Sequence, residues 1–164
     1  DAERFLLEEY KNTVCYRFAT AFGVAQRLRL DLMLNDFVYQ AVKNKNLTVY
    51  EKNFKRTFIH VNDICESIMF AINNFDKMKS QVYNVGSELM NYSKEEVCNN
   101  IKKYVDFYLH FAEFEKDEDQ RNYEINFDKI KKLGFKTSIT LDDGIQELVK
   151  VSKLIDISNK YRNV

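Results

Sequence analysis

The residues best placed to do chemistry lie in Lys55-Arg56-Thr57-Phe58-Ile59-His60-Val61-Asn62-Asp63. Arg56 stands directly before a run of β-forming residues, Thr57 to Val61. Asn62 and Asp63 follow with side chains suited to capping a helix. A guanidinium at a strand entry, followed by a helix, is a candidate anion grip, since it bonds two oxygens of one phosphate or carboxylate at once.

The other titratable candidates carry blander readings. His60 and His110 each lie inside an apolar strand-like run and read as hydrogen-bonded structural histidines. They are too far apart in sequence to suggest a metal site. Arg121 follows an acidic stretch, Glu113 to Asp119, that reads as a solvated loop. Arg17 reads as an ion-paired packing residue, and Arg27 and Arg29 as loop residues facing water. Cys15, Cys65 and Cys98 have no zinc-type spacing. Each sits in an apolar periodic segment and reads as a reduced core residue.

The four glycines, Gly23, Gly86, Gly134 and Gly144, write neither a G-x-G-x-x-G fingerprint nor a phosphate loop. No G-x-S-x-G or H-E-x-x-H occurs. The 25 basic and 25 acidic side chains cancel, which argues against a broad nucleic-acid or anionic-membrane surface. No apolar run approaches the roughly 20 residues of a membrane span. With 164 residues, 45% of them hydrophobic, the chain can bury a core. No signal peptide is expected from the first residues, and the expected compartment is the cytoplasm.

The elements that must hold these residues alternate. A helix tail occupies the first ten residues, with no start signal. Thr13 to Phe22 predicts a strand ending near Gly23. Leu30 to Val42 predicts a helix capped by Asp31 or Asn35, with Leu34, Phe37, Val38 and Ala41 inward. Leu47 to Tyr50 and Thr57 to Val61 predict strands. The helix after Asn62 runs to about Asn74, with Ile64, Ile68, Ala71, Ile72 and Phe75 expected inside. Val82 to Val85 predicts a strand, and Ser93 with Glu96 a capping box. Tyr108 to Phe114 predicts a strand. Phe127 to Leu133 predicts a short helix closed by Gly134, and Thr140 with Asp143 caps a last helix holding Ile145, Leu148, Val149 and Ile155. The tail from Ser158 is polar. Short strands and helices in alternation make an α/β chain, read as the distal half of a larger α/β protein.

Five pieces in order carry a resemblance: Asp1-Ala2-Glu3, Arg17-Phe18-Ala19-Thr20-Ala21-Phe22-Gly23, Leu47-Thr48-Val49-Tyr50, Arg56-Thr57-Phe58-Ile59-His60-Val61-Asn62-Asp63 and Val82-Tyr83-Asn84-Val85-Gly86. Together they resemble the extended short-chain dehydrogenase/reductases, in the NAD-dependent epimerase/dehydratase branch that acts on nucleotide sugars. Ser93-Lys94-Glu95-Glu96 and Lys132-Leu133-Gly134-Phe135 are similar to that family's C-terminal helices.

The resemblance implies an α/β chain, 1–164, that is the C-terminal, substrate-binding half of an extended Rossmann-type enzyme. The dinucleotide-binding segment is expected upstream of Asp1, with its glycine motif and its catalytic Tyr and Lys, so no catalytic residue is named here. The implied function is an NAD(P)-dependent nucleotide-sugar epimerase or dehydratase, an isomerase or lyase of carbohydrate metabolism. Alternatives are a non-catalytic remnant that still binds the nucleotide sugar, and a related reductase of a small carbonyl substrate. The cofactor is NAD or NADP, the partner a nucleotide-diphosphate sugar, with a homodimer of the intact protein as one option.

By position, the resemblance assigns Ala19 and Phe22 to the cofactor side. It assigns Thr20, Leu34, Asn35, Val49, Tyr50, Arg56, Phe58 and Arg121 to the substrate. Arg56 and Arg121 would hold the diphosphate, Phe58 would lie beside the nucleotide, and Val49 and Tyr50 would line the base. The chain departs from the family pattern in having Thr20 where Asn is common, Val24 where Pro is usual, and Glu51-Lys52-Asn53-Phe54-Lys55 in place of a glycine-bearing loop before Arg56.

Overall fold

The computed structural model describes residues 2–112 and 125–156. Arg121, the acidic run 113–119 and the tail from Ser158 lie outside them. In chain order the elements are α1 (Ala2–Glu9), β1 (Val14–Phe18), β2 (Thr20–Phe22), α2 (Met33–Lys43), β3 (Asn46–Tyr50), β4 (Lys55–His60) and α3 (Val61–Asn73). They continue with α4 (Phe75–Met78), β5 (Gln81–Val85), β6 (Asn91–Ser93), α5 (Lys94–Lys102), β7 (Tyr108–Ala112), α6 (Asp128–Lys131) and α7 (Leu141–Leu154).

The α/β class is as expected, but the strands form three small sheets rather than one. β1 pairs with β5, β3 with β7, and β4 lies between β2 and β6. All of these pairings are parallel except β4 with β6. The predicted strand 13–22 is two strands. It breaks at Ala19, whose N–H makes the last bond of the first ladder, to Val85 O at 3.0 Å. Its first part joins β5 and its second joins β4, so one extended run ties two sheets together. β6 escapes a pattern search because three half-buried residues carry no period.

The core has two parts. One gathers Phe22, Leu34, Val38, Val49, Phe58, Val97, Ile101, Ile145 and Leu148 among others. The second gathers Ala19, Ile59, Tyr83, Val85, Phe127 and Ile130. Phe58 and Ile59 are adjacent in β4 and enter different clusters, as the two faces of a strand require.

The helix ends correct several expectations. α2 starts after Leu32, with no side-chain cap bond; Asp31 pairs with Arg29, and Asn35 is buried inside the helix. α3 is capped by His60, whose side chain accepts the Asn62 N–H. Asn62 and Asp63 are therefore not its cap. The capping boxes at Ser93–Glu96 and Thr140–Asp143 are both present.

The inward face expected for α3 is wrong in part. Ile68 and Ile72 on α3, and Phe75 at the start of α4, are exposed, as are Met69 and, outside α3, Phe5, Leu6, Tyr10 and Phe18. Apolar spacing marks a face that is to be covered, whether or not a neighbour among the described residues covers it. The cysteines split as well: all are free, with Cys98 buried, Cys15 half-buried and Cys65 exposed, so Cys65 is not a core residue.

Candidate functional site

β4 is the axis of the candidate site. It is the middle strand of its sheet, and Arg56 through His60 are all buried. In register, Thr20 faces Phe58 and Phe22 faces His60 across the parallel pair, while Arg56 faces Tyr92 of β6. Alternation along the strand puts Arg56, Phe58 and His60 on one side. The rings interlock there: Phe22 meets Phe58 edge-on at 6.1 Å and His60 at 5.2 Å between centroids.

The loop after β2 is held to α2 by one side chain. Asn35 Oδ1 accepts the Gly23 N–H at 3.0 Å, and its Nδ2 donates to Arg29 O at 3.0 Å. Gly23 has φ +112, and a Cβ there would stand 2.3 Å from His60 Nε2. Glycine is thus required both for the backbone angle and for the approach of the imidazole. In the same loop the Arg29–Asp31 ion pair holds the Asp31 carboxyl below the usual range, chiefly through the guanidinium bond.

Val49 ends up in the same core cluster as Leu34, Phe22 and Phe58. Tyr50, at the end of β3, is half-buried, and its carbonyl accepts a bond from Lys94 Nζ at 3.0 Å. Arg56 is only 3% exposed; its Nη1 donates to Lys55 O at 3.0 Å.

The structure thus brings Thr20, Phe22, Leu34, Asn35, Val49, Arg56 and Phe58 to one sheet and the core against it. Tyr50 lies at the edge of this group. Ala19 belongs to the second cluster, on the link between β1 and β2. Of the nine described candidates, Thr20 and Tyr50 keep accessible surface, and the other seven are buried. His60 is the hydrogen-bonded structural histidine expected, with Nε2 2.8 Å from Glu147 Oε2; His110 lies exposed on β7. Two clefts, of about 610 and about 590 Å³, open beside the Phe135–Lys136 segment and are lined by none of the candidates. Among the described residues no His/Cys/Asp/Glu group could hold a metal ion, and no helix is long and apolar enough to cross a membrane.

Lys94 escapes the sequence reading, although a buried lysine beside Tyr50 belongs to the same neighbourhood. The signal was present: it is a cation at the first position of a helix, where the dipole disfavours positive charge.

Comparison with known proteins gives the same direction as the strand order. Residues 6–86 match the model of the NAD dependent epimerase/dehydratase family. Solved structures share the fold across 93% of this chain. One is RMD from Pseudomonas aeruginosa complexed with NADPH, at 16% identity, TM-score 0.77 and 52% of that chain covered. Another is the UDP-glucuronic acid 4-epimerase from Bacillus cereus in complex with UDP-glucuronic acid and NAD, at 18%, 0.76 and 49%. A third is the ADP-L-glycero-D-manno-heptose-6-epimerase of Helicobacter pylori, at 20%, 0.72 and 49%. The chain spans about half the length of these proteins.

Proposed function

We propose, from the match of residues 6–86 to the NAD dependent epimerase/dehydratase family, that this chain is the C-terminal, substrate-binding half of an NAD(P)-dependent nucleotide-sugar epimerase or dehydratase. The observation that carries this reading is the buried Arg56, set on the central strand β4 opposite Tyr92 of β6 and two residues before Phe58, which pairs with Thr20 of β2. A guanidinium in a low-dielectric wall binds a diphosphate more strongly than one in water.

In this reading Arg56 holds the diphosphate, with Arg121 as its partner. Phe58, Val49 and Tyr50 shape the nucleoside end. Leu34 and Asn35 fix the start of α2, and Asn35 locks the Gly23–Arg29 loop. Thr20 presents its hydroxyl toward the sugar. Ala19 and Phe22 lie on the cofactor side. Gly86 follows β5 beside Ala19, and a Cβ there would stand 2.8 Å from the Phe127 ring and 3.1 Å from the Ala19 Cβ. In this reading the dinucleotide lies across the carboxyl ends of the parallel strands, as in open α/β sheets. NAD(P) would supply the hydride acceptor. This chain's residues supply binding and orientation. The three free cysteines fit a reducing compartment, and we assign the protein to the cytoplasm.

The test is calorimetric titration of the 164-residue chain with UDP, dTDP and ADP, alone and with Arg56→Met. One nucleoside diphosphate should bind, and the variant should bind it at least about tenfold more weakly. Binding of none by the unaltered chain overturns the reading. Binding untouched by Arg56→Met favours a substrate without a diphosphate.

A further inference from the structure

Lys94 is 1% exposed, a rare state for an ammonium. It is also the first residue of α5, directly after the Ser93 cap, where a cation opposes the helix dipole. A buried ammonium persists where hydrogen bonds hold it in place. Its contacts show what the ammonium does there. Nζ donates to Tyr50 O at 3.0 Å and lies 5.9 Å from the centre of the Phe54 ring.

The first turn of α5 makes two further bonds to the same segment. Lys94 N donates to Phe54 O at 3.2 Å, and Glu95 N to Lys52 O at 3.0 Å. Lys52 Nζ stands 3.8 Å from Glu95 Oε1. The carbonyls of residues 50, 52 and 54 are therefore all gripped by one helix start. The gripped turn is strained: Glu51 has φ +52, a left-handed angle that disfavours any residue with a Cβ. The Phe54 N–H closes the turn on Glu51 O at 2.9 Å. Strain of this kind persists where the surroundings over-determine it, as at ligand clamps. This turn is the link between Tyr50 and Arg56.

We propose that Lys94 is a positioning residue for a nucleoside diphosphate. It clamps the Tyr50–Phe54 turn so that Tyr50, at the base, and Arg56, at the diphosphate, keep a fixed separation. The inference rests on the functional reading above.

The experiment titrates the 164-residue chain, Lys94→Met, Lys94→Arg and Glu51→Gly with UDP, dTDP, ADP and inorganic pyrophosphate, alongside thermal unfolding. Lys94→Met should weaken the nucleoside diphosphate that the unaltered chain binds by about tenfold, leave pyrophosphate unchanged, and be rescued by Lys94→Arg. Glu51→Gly should raise thermal stability yet weaken the same nucleotide, an opposition that a purely structural role does not produce. If Lys94→Met does not fold, the Glu51→Gly result decides. Equal losses for nucleotide and pyrophosphate, or none in either variant, overturn this inference alone. Absence of nucleotide binding by the unaltered chain overturns the functional reading and this inference with it.

Discussion

His60 Nε2 lies 2.8 Å from Glu147 Oε2, while its Nδ1 accepts the Asn62 N–H at 3.3 Å. Because Nδ1 is an acceptor, the ring hydrogen sits on Nε2 and is donated to the carboxylate. One imidazole thereby ends β4, caps α3 and reaches α7. His60→Ala removes a cap worth about 1 kcal/mol and opens a cavity beside Phe22. The expected loss is about 2–4 kcal/mol in urea unfolding. Glu147→Gln keeps an acceptor and should cost well under half of that.

Asp63 plays a different part from the cap that its position suggests. Its carboxylate accepts Ser138 N at 2.9 Å, Ser138 Oγ at 3.0 Å and Ile139 N at 3.2 Å, fastening α3 to the segment before α7. Asp63→Ala removes the carboxylate partner of the Ser138 and Ile139 N–H groups and should destabilise by about 1–3 kcal/mol. Asp63→Asn, with one acceptor oxygen left, should fall between. Hydrogen exchange at the Ser138 and Ile139 amides should quicken in both variants.

Glu51→Gly removes a left-handed residue that bears a Cβ. The relief of about 1–2 kcal/mol exceeds the entropic cost of glycine, about 0.5–1 kcal/mol. A net gain of about 0.5–1 kcal/mol is expected, read as a higher denaturant midpoint at unchanged slope.

Acid should weaken the fold through carboxylates held below their ordinary range. Asp143 is lowered by the Thr140 hydroxyl and then by the Thr140 N–H, and Asp31 chiefly by Arg29. For Glu88 burial pushes upward, but the Lys131 bond and two backbone N–H groups outweigh it. A depressed folded pKa gives stability that is present above the unfolded value, near pH 4, and lost as pH falls through the folded one. Urea midpoints should be flat above about pH 5 and fall below about pH 4. Thr140→Ala should flatten that fall.

The cysteines should separate by reactivity. Burial pushes the Cys98 thiol up to about 12, whereas Cys65 stands exposed on α3. Iodoacetamide should alkylate Cys65 in the native chain and Cys98 only after unfolding, as peptide mass spectrometry would read. Equal labelling would contradict the packing of α5.

Much of this molecule could be read from the chain, and the gaps have physical reasons. Capping boxes at Ser93 and Thr140 were legible because both partners lie within four residues. The His60 cap was not, because histidine is an unusual cap and Asn62 and Asp63, two and three residues on, are common ones. The split at Ala19 depends on which distant strands come alongside, information that local alternation does not hold. For the candidate site, residue type singled out Arg56 and the resemblance added Thr20 and Phe58; the structure sets all three on one sheet. Lys94 was missed because its partner, the Tyr50 carbonyl, is far away in sequence. The face of α3 misled because periodicity reports amphipathicity, not which neighbour covers it.

The parallel pairings have a kinetic consequence. Residue 14 pairs with 81, 20 with 58, and 46 with 108. During synthesis from the amino end, β1 and β2 therefore leave the ribosome long before any partner exists, and β3 waits for β7. Such distant pairing folds slowly and leaves strand edges open to association in the meantime. Slow refolding and a yield that drops as chain concentration rises are built into this order of strands.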